Sequence, residues 1–176
     1  MSGHNKWSKI KRQKEKTDSQ KSKIFGKMVR LITVEAKKAG GNINSPGLKS
    51  AVERARDANV PSDNIERAIK KSTEGGANME SITYEAYGPG GCAMVIEALT
   101  DNRNKAAQEI KMILSKHGFE LAGIGSATWA FERTPSMEWE PKIIIPLSDE
   151  DSQKLEELMD ELEENDEVQE VYTNVE

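Results

Sequence analysis

Ile82-Thr83-Tyr84-Glu85-Ala86-Tyr87-Gly88-Pro89-Gly90-Gly91-Cys92-Ala93-Met94-Val95-Ile96-Glu97-Ala98-Leu99 is the stretch in which the chain changes period. Ile82, Tyr84 and Ala86 alternate with Thr83, Glu85 and Tyr87, Gly88-Pro89-Gly90-Gly91 turns the chain, and Cys92 to Leu99 forms a second run rich in apolar residues. A two-residue repeat suits a half-buried strand, so the pair predicts a β-hairpin. Before it, apolar residues recur at helical spacing; after it, strand and helix patterns alternate. The class is therefore α+β, with the helices first.

Downstream, Ala106, Ala107, Ile110, Ile113 and Leu114 give an inward helical face from about Asn104 to His117, with Gly118 as the C′ residue. Ser126 to Phe131 reads as a strand, Arg133 to Pro141 as irregular, and Lys142 to Leu147 as another strand. Ser148 opens a helix whose first turn holds Asp149, Glu150 and Asp151, at the positive end of the helix dipole. Leu155, Leu158, Met159 and Leu162 are its apolar face, and Val168 to Val175 closes the chain as a strand. From Cys92 the order is strand, helix, strand, strand, helix, strand. That order predicts a C-terminal ferredoxin-like α/β sandwich, with Ile82 to Tyr87 as an extra N-terminal strand.

Upstream, Ile24, Phe25, Met28, Leu31, Ile32 and Ala36 share one helix face, ended by Gly40 and Gly41, and the helical pattern begins at Ile10. Ser45 at the N-cap and Pro46 at N1 announce a second helix carrying Leu48, Ala51, Val52 and Ala55, which stops near Asn59. A third follows Pro61, where Asp63 and Glu66 have capping-box spacing; it carries Ile65, Ala68 and Ile69 and fades at Ser72. Met1 to Lys9 shows no period and reads as an extended arm. The organisation expected is a basic bundle of three to four helices with its arm over residues 1–73, a linker over 74–81, and an acidic ferredoxin-like α/β domain over 82–176.

Charge divides along the same line. Residues 1–73 hold 18 Lys or Arg and 7 Asp or Glu, a balance of +11; residues 74–176 hold 7 and 23, a balance of -16, and the sum is the net -5 of the 176-residue chain. In the first thirty residues Lys6, Lys9, Lys11, Arg12, Lys14, Lys16, Lys21, Lys23, Lys27 and Arg30 face only Glu15 and Asp18, with Trp7 among them. Each cation that meets a phosphate releases condensed counterions, so such a surface fits a nucleic acid. The bland alternative is a solvated helix face that balances the acidic half. Trp7 has two readings, a platform on which an unpaired base stacks and an anchor that pins the arm to the bundle. Asp101-Asn102-Arg103-Asn104 also has two: Asn102 or Asn104 caps the following helix while Arg103 pairs locally, or Arg103 and Lys105 touch phosphate beside the helix N-terminus.

Other chemistries find no pattern. Gly88-Pro89-Gly90-Gly91-Cys92-Ala93 matches G-x-G-x-x-A but joins two strands, and Gly123-Ile124-Gly125 leads into a strand, whereas a dinucleotide fingerprint sits between a strand and a helix. No cofactor is expected. His4, Cys92 and His117 are too dispersed for a metal centre. Cys92 reads as a small core residue and His117 as a helix-end group; the carboxylates from Glu156 to Glu164 read as the solvated side of an amphipathic helix. No apolar run approaches the roughly 20 residues of a membrane span, and the start lacks a signal-peptide core, so it reads as mature protein. One cysteine agrees with a reducing, cytoplasmic setting. Neither a membrane nor a small-molecule substrate is expected as a partner.

Gly3-His4-Asn5-Lys6-Trp7 with Ile10-Lys11, Lys23-Ile24-Phe25, Asp63-Asn64-Ile65-Glu66-Arg67-Ala68-Ile69-Lys70-Lys71, Tyr87-Gly88-Pro89-Gly90-Gly91, Thr100-Asp101-Asn102-Arg103-Asn104, Ser115-Lys116-His117-Gly118 and Val168-Gln169-Glu170-Val171-Tyr172-Thr173-Asn174 together resemble the YebC/PmpR family. The resemblance runs in order from residue 3 to 174. It implies a cytoplasmic, non-enzymatic regulator of gene expression, the family being labelled DNA-binding transcriptional regulators, with some members described as ribosome-associated translation factors that relieve stalling on proline runs. Members usually insert a third small α/β domain between the strands matching Ser126 to Phe131 and Lys142 to Leu147; here only Glu132 to Pro141 intervenes, so two lobes are expected. The nucleic-acid contacts expected are His4, Lys6, Trp7, Lys9, Lys11, Arg12, Lys14, Lys16, Lys21, Lys23, Lys27 and Arg30, with Gly90, Arg103 and Lys105 as a second contact. An arm with Trp7 and scattered lysines suits irregular ribosomal RNA better than duplex DNA, the close alternative. A more distant one makes the ferredoxin-like half a small-ligand sensor.

Overall fold

The structure is a computed structural model that describes residues 17–75 and 78–176. The arm from Met1 to Lys9 and the helical onset at Ile10 lie outside the described residues. Described elements are α1 (Asp18–Lys38), α2 (Pro46–Asp57), α3 (Ser62–Thr73), β1 (Glu80–Tyr87), β2 (Ala93–Thr100), α4 (Arg103–Lys116), β3 (Leu121–Ala122), β4 (Phe131–Arg133), β5 (Trp139–Pro141), α5 (Asp149–Glu164) and β6 (Val168–Thr173). The fold is α+β, helices leading and strands following, as the change of period requires. The helices up to residue 81 form one compact unit; Ile82–Thr134 with Glu138–Glu176 form another.

In the helical unit, α1 opens with a capping box. The Thr17 hydroxyl accepts the Gln20 N–H at 3.3 Å and the Gln20 amide oxygen accepts the Thr17 N–H at 2.9 Å, which satisfies two otherwise orphaned donors. α1 ends in Gly40 and Gly41, both at positive φ (58° and 80°), with Gly41 N–H donating to the Ala36 carbonyl. Ser45 caps α2 through Leu48 N–H, as its sequence predicts. α3 departs from expectation: its N-cap is Pro61 and no side chain caps it. Proline leaves its carbonyl to Asn64 and Ile65 N–H, so α3 starts at Ser62, and Asp63 serves the first turn by charge rather than by a capping box. Met28, Ile32 and Ala36 of α1, Leu48, Ala51 and Ala55 of α2, Val60, and Ile65 and Ala68 of α3 close one core.

In the α/β unit the main sheet has the order β3-β1-β2-β6. β2 is central and buried on both faces, which explains why its apolar run is nearly continuous while β1 alternates. Met94, Ile96 and Ala98 face α4 and α5 with Ile110, Leu114, Leu155, Leu158 and Leu162. Ala93 and Val95 face the other way, against Ala127, Ala130 and Phe131. β6 runs antiparallel to β2, with a bulge at Glu97/Ala98.

Two expected strands are not where the pattern put them. Ser126 to Phe131 becomes a turn, a 3-10 helix over Thr128–Ala130 and the short β4, and β4 pairs with β5 in a separate two-stranded sheet. Lys142 to Leu147 is irregular, with a single parallel bridge from Ile145 to Val175. β1, which begins at Glu80, and β3 complete the main sheet instead, in the register Glu85↔Ala122 and Ala86↔Leu121. The short turn at Pro89–Gly91 brings β1 beside β2 at little loop-closure cost, and this takes the position that a later strand fills in the ferredoxin order.

Candidate nucleic-acid interface

The apolar spacing of α1 commits one side of the helix to its core, and the other side carries cations together with buried Val34. At about 100° per residue, Lys23, Lys27 and Arg30 fall along one line, roughly opposite Met28, Ile32 and Ala36. All three are half-exposed, while Lys21 is exposed in the second turn. Lys37 and Lys38 lie in the last turn, where cations complement the dipole; Lys37 Nζ donates to Asn78 at 3.4 Å and Lys38 pairs with Glu35 at 3.2 Å. Thus Lys21, Lys23, Lys27 and Arg30 share one helix, three of them in one row. His4, Lys6, Trp7, Lys9, Lys11, Arg12, Lys14 and Lys16 lie outside the described residues.

The second expected contact is not one locus. Gly90 sits in the β1–β2 turn at φ 68°, where a Cβ would collide with the Leu147 side chain, so packing and backbone conformation alone require glycine. Arg103 and Lys105 follow the far end of β2, whose eight residues put about 25 Å between them and Gly90. Lys105 makes a 3.2 Å ion pair with Glu167, whose side chain is 6% exposed, and this hydrogen bond raises the lysine pKa. Asn102 caps α4: its Oδ1 accepts Lys105 N–H at 3.1 Å, while Asn102 N–H donates to the Thr100 hydroxyl at 2.9 Å. The local reading of Asp101–Asn104 therefore accounts for Asn102.

The remaining candidates settle into structural roles. Cys92 is buried in the sheet–helix core, and burial pushes its thiol up to about 11. His117 is the C-cap residue of α4, and its Nε2 lies 2.7 Å from Glu161 of α5, which also pairs with Lys116 at 2.9 Å. Those two hydrogen bonds, His117 first, hold the Glu161 carboxyl below its usual range. Among the described residues no group of three metal-ligating side chains forms, and no helix is long and apolar enough to cross a membrane. A shallow depression lined by Gln108, Lys111, Met112, Ser115 and Lys116 lies along α4 alone, and its open side encloses nothing.

On the sheet face away from α4 and α5 lies an arrangement that local patterning did not reveal. Glu85, 5% exposed, accepts N–H bonds from Gly125 at 2.7 Å, Ala127 at 2.9 Å and Thr128 at 2.7 Å. Burial pushes its carboxyl up, but the three backbone donors outweigh burial and hold it below the ordinary value. Beside it Trp129 Nε1 donates to Tyr87 Oη at 2.9 Å, and Tyr87 Oη donates to the Ser126 carbonyl. Glu97 accepts from Thr83 at 2.8 Å, Arg133 at 3.0 Å and Trp139 Nε1 at 2.7 Å, while the Arg133 guanidinium lies 4.1 Å over the Trp139 ring. The alternation of β1 was the only local signal, since it sends Thr83, Glu85 and Tyr87 to one face.

The profile described as the TACO1/YebC protein N-terminal domain matches residues 5–75, and that of the TACO1/YebC second and third domain matches 79–138 and 133–175. The chain belongs to the TACO1/YebC family. A probable transcriptional regulatory protein of Thermoanaerobacter pseudethanolicus is 39% identical over 239 residues, covering 100% of this chain and 97% of that protein. One from Thermotoga maritima is 49% identical over 162 residues, 90% of this chain and 61% of its own length. A crystallised conserved hypothetical protein of Aquifex aeolicus shares the fold at a TM-score of 0.83 and 30% identity, covering 97% and 96% of the two chains. The first alignment runs over 239 positions against 176 residues here, 63 more. The two matches to the second profile meet at residues 133–138, the β4–β5 turn, so this short TACO1/YebC chain joins there what the profile holds apart.

Proposed function

We propose that this TACO1/YebC protein is a cytoplasmic, non-enzymatic regulator of gene expression that binds nucleic acid through residues 1–73, with ribosomal RNA and translation as its setting. The observation that carries the reading is the ten-to-two excess of cations in the first thirty residues, three of which, Lys23, Lys27 and Arg30, fall half-exposed along one line of α1. Lys6, Lys9, Lys11, Arg12, Lys14 and Lys16 belong to the same excess of charge, and His4 and Trp7 add rings to the stretch. Cations without a groove-reading helix or paired half-sites bind phosphate but do not read a duplex sequence, which favours irregular RNA. The linker ends where β1 begins, at Glu80, and the α/β unit acts as scaffold and second surface.

The alternative is a duplex-DNA-binding transcriptional regulator. It has its own support, since the bacterial relatives are named probable transcriptional regulatory proteins. Ribosome sedimentation, together with duplex affinity at two salt concentrations, separates the two. Co-migration with ribosomes and sequence-independent duplex binding are expected. Absence from ribosomes with sequence-dependent duplex binding would overturn the translational reading.

A further inference from the structure

We infer that Trp129, with Tyr87 and Lys142, is a stacking platform for an unpaired base of single-stranded nucleic acid, a second contact on the α/β unit; the inference rests on the nucleic-acid reading above. Trp129 is 52% exposed and Tyr87 37%. Their polar atoms are already used, because the indole N–H donates to Tyr87 Oη and that hydroxyl donates to the Ser126 carbonyl. What the pair still offers a ligand is ring surface, and a planar base stacks on ring surface without needing a hydrogen bond.

The platform is held in place rather than left loose. The three N–H bonds to Glu85 fix the turn from Gly125 to Thr128, and Trp129 follows directly. A side chain ordered before binding loses less entropy on contact. The backbone of a cationic residue is tied to this segment: Lys142 is exposed, and its main-chain N–H donates to the carbonyl of Ala130, the residue after Trp129, at 2.7 Å. Exposed Ile124 and Ile143 make the surroundings apolar. The acidic side of α5 belongs to the helix layer, on the opposite face of the sheet, and the carboxylates of the β4–β5 sheet that follows Trp129 are the cross-strand pair Glu132 and Glu140.

The test uses the full chain and end-labelled 12-nucleotide oligo-U and oligo-dT, with a duplex of mixed sequence as control, read by fluorescence anisotropy. Trp129→Ala and Trp129→Leu are expected to weaken single-strand binding about 5- to 140-fold, the equivalent of roughly 1 to 3 kcal/mol, with an unchanged salt slope and unchanged duplex affinity. Trp129→Phe should keep most of the affinity because it keeps an aromatic face. Lys142→Ala should make the single-strand salt slope shallower by about 0.7. A preference for oligo-U over oligo-dT, lost in Trp129→Ala, would assign the platform to RNA; equal loss on both assigns it to any single strand. If wild type binds and Trp129→Leu binds equally well, the platform is wrong, while the arm reading stands. If wild type binds no nucleic acid, both readings fall. A melting temperature for each variant separates a lost contact from a lost fold.

Discussion

The two units use charge in opposite ways. In the helical unit, Lys38–Glu35 at i,i+3 and Lys70–Glu74 at i,i+4 are pairs within one helix or at its end, and exposed pairs of that kind contribute little to stability. In the α/β unit, pairs such as Lys105–Glu167, His117–Glu161 and Arg133–Glu97 join residues 36 to 62 apart in the chain. Polar groups there act as fasteners between elements. The teaching is that a count of charges does not locate a binding surface. A lysine on a buried glutamate, such as Lys105 on Glu167, serves the fold.

The sharpest way to break this contrast is to remove a fastener. Glu85→Ala leaves three backbone N–H groups without their acceptor and should cost about 2–4 kcal/mol of unfolding free energy in urea titration, with the helical unit's nucleic-acid affinity unchanged. Its pH signature has a definite sign. The folded-state pKa of Glu85 is depressed, so its contribution is complete above the unfolded value near 4.5 and is lost as pH falls through the lower folded value. Thermal melts between pH 3 and 6 should show wild type losing this contribution only below about pH 4.5, and Glu85→Gln should flatten the loss.

Next in size is the basic N-terminal stretch. Lys9→Ala, Lys11→Ala and Arg12→Ala combined should make the duplex salt slope shallower by about 0.9 for each phosphate contact removed, with no change in melting temperature. Unchanged affinity would show those cations to be a solvated face. Trp7→Ala should weaken single-strand binding more than duplex binding; equal losses with lower stability would make Trp7 an anchor. A smaller effect is expected at the α1 cap, where Thr17→Ala should cost about 1 kcal/mol and spare the α/β unit. The smallest, and the one that most sharpens the comparison, pairs Lys105→Ala with Lys27→Ala. The first should lower the melting temperature and leave the salt slope alone; the second should do the reverse.

Much of this was legible locally. Helix faces, the caps Ser45, Asn102 and Ser148, the glycine ends at Gly40, Gly41 and Gly118, and the hairpin at Gly88–Gly91 depend on neighbours a few residues away, and each formed as its pattern says. The capping box of α1 was also present in the letters, as Thr17-x-x-Gln20. What misled was the place of two strands. Ser126 to Phe131 and Lys142 to Leu147 have strand-like composition, but the β1–β2 hairpin takes the edge they would have needed.

By itself, then, the sequence determined the α+β order, the helical core, the family and the sign of charge in each half, because periodicity, caps and composition are short-range or additive properties. Only tertiary structure decided which strands pair, that Gly90 and Arg103 stand at opposite ends of β2, that Lys105 is held by Glu167, and that Glu85 gathers the turn presenting Trp129. Those outcomes depend on contacts between residues about 40 to 60 positions apart, set by pairing register and the faces of a shared sheet, and no local pattern encodes them.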